Sequence, residues 1–248
     1  MSSALFSPIT LRGVTFENRI VVAPMCQYAA EDGVVGDWHL MHLGNLAISG
    51  PGLLFIEATG VEARARITPG CTGLGNDAQE EAFARIVHFC RQYGDAKIGI
   101  QLAHAGRKAS TRPPFEGGAP ITLDQAGGWQ TVGPSALAFN DGWTLPTAMD
   151  QAEMDVVKAA FVSSAERSAR LGLDILELHA AHGYLLSAFL SPLANQRNDN
   201  FGGALENPLA GIDRGSLDGG AAHIFHLPID GLDMREIGGR AGADPTRR

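Results

Sequence analysis

Two imidazoles three residues apart, His179 and His182, precede the phenol of Tyr184 in the stretch LDILELHAAHGYLLSAFLSP, residues 173–192. Three kinds of chemistry suit this spacing. In the blandest, one ring is buried with its hydrogen bonds met and the other faces water. A second is a zinc site, since imidazoles three or four apart can share a metal; HExxH is absent, and the pair lacks a third ligand and a general base. The third is an oxyanion clamp. Two ring N–H groups would hold a carbonyl oxygen and stabilise negative charge developing there, with Tyr184 giving a proton as general acid. The motif alone leaves all three open.

Other chemistry-bearing residues end apolar runs. Cys26 follows RIVVAPM, with Tyr28 close behind; it is either an inert buried thiol or a site group. Gln101 closes an apolar run, and its carboxamide both donates and accepts. It is either a strand-end polar group bonded to backbone or a reader of a heterocycle edge such as a flavin pyrimidine. His104, Arg107 and Lys108 fall in the following loop and read as solvated or structural. The histidines of WHLMH, His39 and His42, share a helix face and read as packing.

The elements that position these groups follow from pattern. A hairpin is predicted over residues 6–19 around Arg12-Gly13. RIVVAPM is a short buried strand ended by Pro24, a helix covers Trp38–Ile48, and GLLFIEATG is a second strand. Asp77 and Glu80 suggest a capping box for a helix with Phe83, Ile86, Val87 and Cys90 on one stripe, and Gly94 suggests its C′ stop. KIGIQLAHAG is a third strand. Residues 106–149, rich in Gly, Pro, Thr and Ser, are too long for a plain connection and read as functional. Asp150 and Glu153 cap a helix carrying Met154, Val157, Phe161 and Ala165, Gly172 ends it, and LDILELH is the fourth strand.

Strands apolar on both faces and alternating with helices belong to a parallel sheet. Reactive residues at successive strand ends favour a (β/α)8 barrel, whose site gathers at that end. No GxGxxG follows the first strand, against a dinucleotide-binding doubly wound sheet. Only about four βα units are present, so half a barrel is expected.

Composition bounds the functions. The chain has 248 residues, 45% hydrophobic and 19% charged, enough for a sizeable core. A net charge of −8 argues against a nucleic-acid surface. No apolar run reaches the length of a membrane span, and MSSALFSPIT has no signal-peptide pattern. Three scattered cysteines, Cys26, Cys71 and Cys90, suit a reducing cytoplasm and no disulfide scaffold. The expectation is a soluble cytoplasmic protein acting on neutral small molecules.

Taken together, LFSPITLRGVTFENRIVVAPMCQY, IQLAHAGRKAS and HAAHGYLLSAFLSPLANQRNDNFGGALEN resemble the old yellow enzyme family of flavin-dependent ene-reductases. The branch they resemble most is the bacterial xenobiotic-reductase and NADPH-dehydrogenase type, over roughly residues 4–207. The resemblance implies an FMN-containing (β/α)8 barrel with FMN bound non-covalently and NAD(P)H as reductant. It implies that Ala23, Pro24, Met25 and Cys26 line the flavin, with Cys26 tuning its potential, and that Ala58 and Gln101 contact the ring. By the same resemblance His179 and His182 hold a carbonyl or nitro oxygen, Tyr28 and Tyr184 flank the substrate, and Tyr184 or water gives the proton. The implied substrates are activated alkenes or nitro compounds; a homo-oligomer is compatible, and no metal, nucleic acid or membrane is implied.

After Asn207 the sequence departs from that family pattern. Residues 208–248 form a Gly/Asp/Arg-rich tail without lysine, with one plausible strand, AAHIFHLPI. The family pattern would place there an arginine near flavin N1 and the phosphate-binding residues. The expectation is two segments: residues 1–207 as the N-terminal half of the barrel, and a 208–248 tail that is disordered or the product of a frameshift. An inactive remnant with open sheet edges is the alternative reading, and a metal-dependent barrel hydrolase a third.

Overall fold

The computed structural model describes residues 3–203 and the backbone of one further strand, His223–Pro228. The chain begins with a hairpin, β1 (Ile9–Leu11) and β2 (Val14–Phe16), paired Ile9 with Phe16 and Leu11 with Val14. Arg12 and Gly13 between them both have positive φ, +46° and +89°. This is the backbone a two-residue hairpin turn needs to match strand twist.

The main sheet is built from β3 (Val21–Val22), β4 (Leu53–Gly60), β5 (Lys97–Ala103) and β8 (Ile175–Ala180), all parallel and in chain order. Helices α1 (Asp37–Ile48), α2 (Asp77–Tyr93) and α3 (Gln151–Arg170) connect them. The predicted first strand shrinks to two paired residues because Pro24 has no N–H for a ladder. In the long connection, β6 (Val132–Gly133) pairs with β7 (Thr147–Ala148). A short helix, α4 (Leu185–Leu190), follows β8, and β9 (His223–Pro228) pairs antiparallel with β8. Four parallel strands and their helices make half of an eight-stranded barrel.

Alternation along the strands sorts the core into two layers. Leu54, Ile56, Ile98, Ile100, Leu102 and Leu176 face the helices, against Phe83, Ile86, Val87, Phe161 and Ala165. Leu53, Phe55 and Ile175 face the other side and are closed off by Phe16 of the hairpin. Gly99 makes room for this inner layer, since a Cβ there would lie 2.5 Å from the Phe55 ring.

Two predicted caps are corrected. The N-cap of α2 is Asn76, whose side chain accepts from the Gln79 N–H, so Asp77 is the first helical residue. Gly94 has extended backbone, φ −132° and ψ 154°, and is no left-handed stop. It is there for close approach: a Cβ would meet the Ala47 carbonyl at 2.6 Å. The α3 caps stand as read. Asp150 accepts from the Glu153 N–H, and Gly172 at φ +72° closes the helix with Leu173 N–H donating to Ser168. No helix among the described residues is long and apolar enough to cross a membrane.

Candidate active site

The inner face of the sheet turns polar toward the C-terminal ends of the strands. In register across β4, β5 and β8 lie Ala58, Gln101 and Glu177, all buried. Gln101 donates through Nε2 to Glu177 Oε1, and burial raises the Glu177 pKa above the usual carboxylate range. Gln101 therefore lies inside β5, which runs on to Ala103. Its side chain is paired with a carboxylate rather than with backbone. His179 stands on the same face of β8, beyond Glu177.

A bulge in β4 arranges one wall. Pairing with β5 shifts between Ile56 and Ala58, leaving Glu57 as the extra residue. Such bulges re-aim side chains beside functional sites. The buried Glu57 carboxylate accepts from the Gln27 N–H at 3.0 Å and lies 3.5 Å from His39 Nε2. Trp38 Nε1 donates to the Gln27 side chain. These bonds hold the segment after β3, which carries Ala23, Pro24, Met25, Cys26 and Tyr28. Met25 is exposed, Cys26 and Tyr28 are half-buried, and Tyr28 sits at φ +54°.

Cys26 faces Cys71, a residue the motif reading did not single out. Cys71 accepts from the N–H of Thr68 at 3.4 Å, and the Cys26 thiol bonds to it, holding Cys71 down to about 7. The same bond, with burial, pushes Cys26 upward, so Cys26 is the thiol of the pair. Burial raises Tyr28 to about 12.

On the other wall three rings meet. The His179 centroid lies 5.0 Å from that of His182 and 4.9 Å from that of Tyr184, both edge-on. His182 and Tyr184 are 6.4 Å apart. Burial, then the charges of His182 and Lys108, lower His179 to about 4, so its ring is neutral at ordinary pH. Its Nδ1 accepts from the Ala181 N–H at 3.3 Å. The ring proton is thereby assigned to Nε2, which remains a donor. Tyr184 is pushed up by burial, so it keeps its proton.

Two further buried histidines, His104 and His39, are structural. His104 is buried, with Nδ1 accepting from Gly106 at 3.0 Å and Nε2 facing Glu62 at 3.0 Å. His39 is buried between Gly36 N–H and Glu57. Lys108, expected to be solvated or structural, donates to the His182 carbonyl at 2.7 Å. Phe115 stacks edge-on against Tyr28 at 6.1 Å. Among the described residues, no group of three or more His, Cys, Asp or Glu is placed to hold a metal.

The donor set suits the ring end of a flavin. Ala58 and the Gln101 carboxamide offer a small surface and a two-way hydrogen-bonding edge inside the strands. Ala23 and Met25 leave exposed surface beside them. The phosphate-binding residues of the family pattern belong to the half that would follow Asn207, where this sequence departs from that pattern.

Comparison with known proteins gives an independent line. The model of the NADH:flavin oxidoreductase / NADH oxidase family matches residues 4–210. An NADH:flavin oxidoreductase of Gibberella zeae is 48% identical over 209 residues, covering 83% of this chain and 50% of the relative. An NADPH dehydrogenase of Bacillus cytotoxicus is 43% identical over 209 residues, 84% of this chain and 56% of its own. Morphinone reductase superimposes with a TM-score of 0.71 at 29% identity, covering 83% of this chain and 55% of that structure. An old yellow enzyme from a Pichia species gives 0.70 at 29% identity, covering 82% and 53%. The chain spans about half the length of the curated relatives it matches.

Proposed function

Because the chain belongs to the NADH:flavin oxidoreductase / NADH oxidase family, we propose that it carries the substrate-binding wall of an FMN-dependent NAD(P)H oxidoreductase that reduces activated alkenes. The observation that carries this reading is the meeting of His179, His182 and Tyr184 at the strand ends, above the row of Ala58 and Gln101.

In this reading Ala58 and Gln101 hold the flavin ring from the sheet, Gln101 at the pyrimidine edge. Ala23, Pro24, Met25 and Cys26 line it from the segment after β3. The chemistry such a group supplies when bound is hydride transfer, taken from NAD(P)H and passed to the β-carbon of an electron-poor alkene. The neutral His179 donates from Nε2 to the substrate's carbonyl or nitro oxygen, and His182 supplies the second donor. Both act where negative charge accumulates as the double bond is reduced. A neutral imidazole suits this role, since it polarises the oxygen without giving up a proton. Tyr184, protonated at neutral pH, supplies the proton to the α-carbon. Tyr28 and Phe115 close the site on the side of β3. Cys26, kept as a thiol by its bond to Cys71, sets the polarity beside the ring without adding a charge.

The test is direct. The purified chain is scanned for flavin absorbance, reduced anaerobically with NADPH, and then given cyclohex-2-enone. Bleaching followed by recovery of colour on adding the enone is expected. A colourless chain that takes up no added FMN would overturn the reading in favour of an inactive remnant.

A further inference from the structure

Taking His179 and His182 as the oxygen clamp proposed above, we infer that Lys108 is a positioning residue for it. Its ammonium ties the loop after β5 to the loop after β8 and fixes the turn that carries His182, just beyond His179 on β8.

The geometry starts with strain. His182 has φ +57° and Gly183 φ +74°, so two successive residues of the clamp turn are left-handed. For a residue with a Cβ this conformation is strained and persists only where neighbours hold it. Two side chains hold this turn: Ser187 Oγ accepts from the Gly183 N–H at 3.2 Å, and Lys108 reaches the residue that carries the imidazole. Its Nζ donates to the His182 carbonyl at 2.7 Å. The Lys108 stem lies against the same turn, since a Cβ on Gly183 would stand 3.6 Å from Lys108 Cδ.

Aromatic faces confine the ammonium. Nζ lies 4.8 Å from the Tyr184 centroid and 4.8 Å from that of Phe139. A cation held between two ring faces gains from both quadrupoles, and one of those rings is the proposed proton donor. The backbone on which Lys108 rides is also fixed to the second loop. Leu185 N–H donates to the His104 carbonyl at 2.9 Å. Gly106, at φ +60°, packs so close that a Cβ would meet Leu185 Cα at 3.0 Å. Arg107 has different work: its guanidinium donates to the carbonyls of Leu137 and Ala138 and lies over Phe139. Of these contacts, the Lys108 bond is the one that lands on His182 itself.

A role of plain stapling would stabilise the fold without touching the imidazoles. Positioning makes a further demand, because the Lys108 charge also disfavours protonation of His179, together with His182 and burial. The experiment has three arms. In the wild-type chain, NMR should detect a coupling across the hydrogen bond from Lys108 Nζ to the His182 carbonyl carbon. K108M, which keeps most of the stem, should raise the His179 titration midpoint by about half to one pH unit. In FMN-loaded protein it should lower kcat/KM for cyclohex-2-enone about tenfold, and K108R should recover most of that loss. Absence of the coupling, or a K108M chain with unchanged His179 titration, overturns the inference. If K108M does not fold, the wild-type coupling decides. If neither wild type nor variant reduces the enone while the coupling and the titration shift appear, the clamp reading fails and the positioning inference stands.

Discussion

At the scale of single residues, what His179 can do is set by one backbone bond. The Ala181 N–H occupies Nδ1, so the proton sits on Nε2 and the ring offers a donor. The spacing of His179, His182 and Tyr184 was legible in the sequence; the tautomer was not, because it depends on a turn geometry that only the folded chain has. The same burial makes the site sensitive to acid. The unfolded chain protonates this imidazole near 6.5, whereas the folded chain does so only near 4. Between those values the unfolded state binds more protons, so its contribution is fully present above pH 6.5 and is lost as pH falls to 4. The loss is on the order of 2 kcal/mol after allowing for solvent at the site mouth. Burial lowers His104 in the same direction. Urea midpoints at pH 7 and pH 4.5 check this: H179N should show a shallower pH dependence than wild type.

Elements were read from periodicity and punctuation, and the long ones came through. The stripe Phe83, Ile86, Val87 and Cys90 is buried because a period of 3.6 puts those positions on one side of α2. The α2 N-cap moved by one residue, since Asn76 and Asp77 are both capable acceptors and only the approach of the chain selects between them. The bulge at Glu57 left no sequence signal at all; it shows as a register slip against β5. Removing the α3 cap with D150A should cost about 1 kcal/mol. F83A, which empties a fully buried position, should cost about 3–5 kcal/mol. Equilibrium urea unfolding of the two variants measures both, and the core variant should fall further.

For the whole molecule, four parallel strands end in an edge that β9 covers. In a closed eight-stranded barrel the next strand would run parallel to β8; here His223–Pro228 runs antiparallel, with Leu176 opposite Leu227. A sheet edge left open invites pairing with another chain. A chain ending at residue 207 should therefore self-associate at micromolar concentration more than the full chain, as read by size exclusion with light scattering. Equal masses for the two would show that β9 does not protect the edge. The sequence by itself determined the long strands and helices, that the first four strands of the main sheet run parallel, and that His179, His182 and Tyr184 could do chemistry, because these follow from local period and residue type. Tertiary structure alone decided that Gln101 faces Glu177, that Cys26 meets Cys71, and that Lys108 reaches His182. Each joins residues tens of positions apart, and strand register and loop approach, which set such distances, are properties of packing rather than of any local stretch.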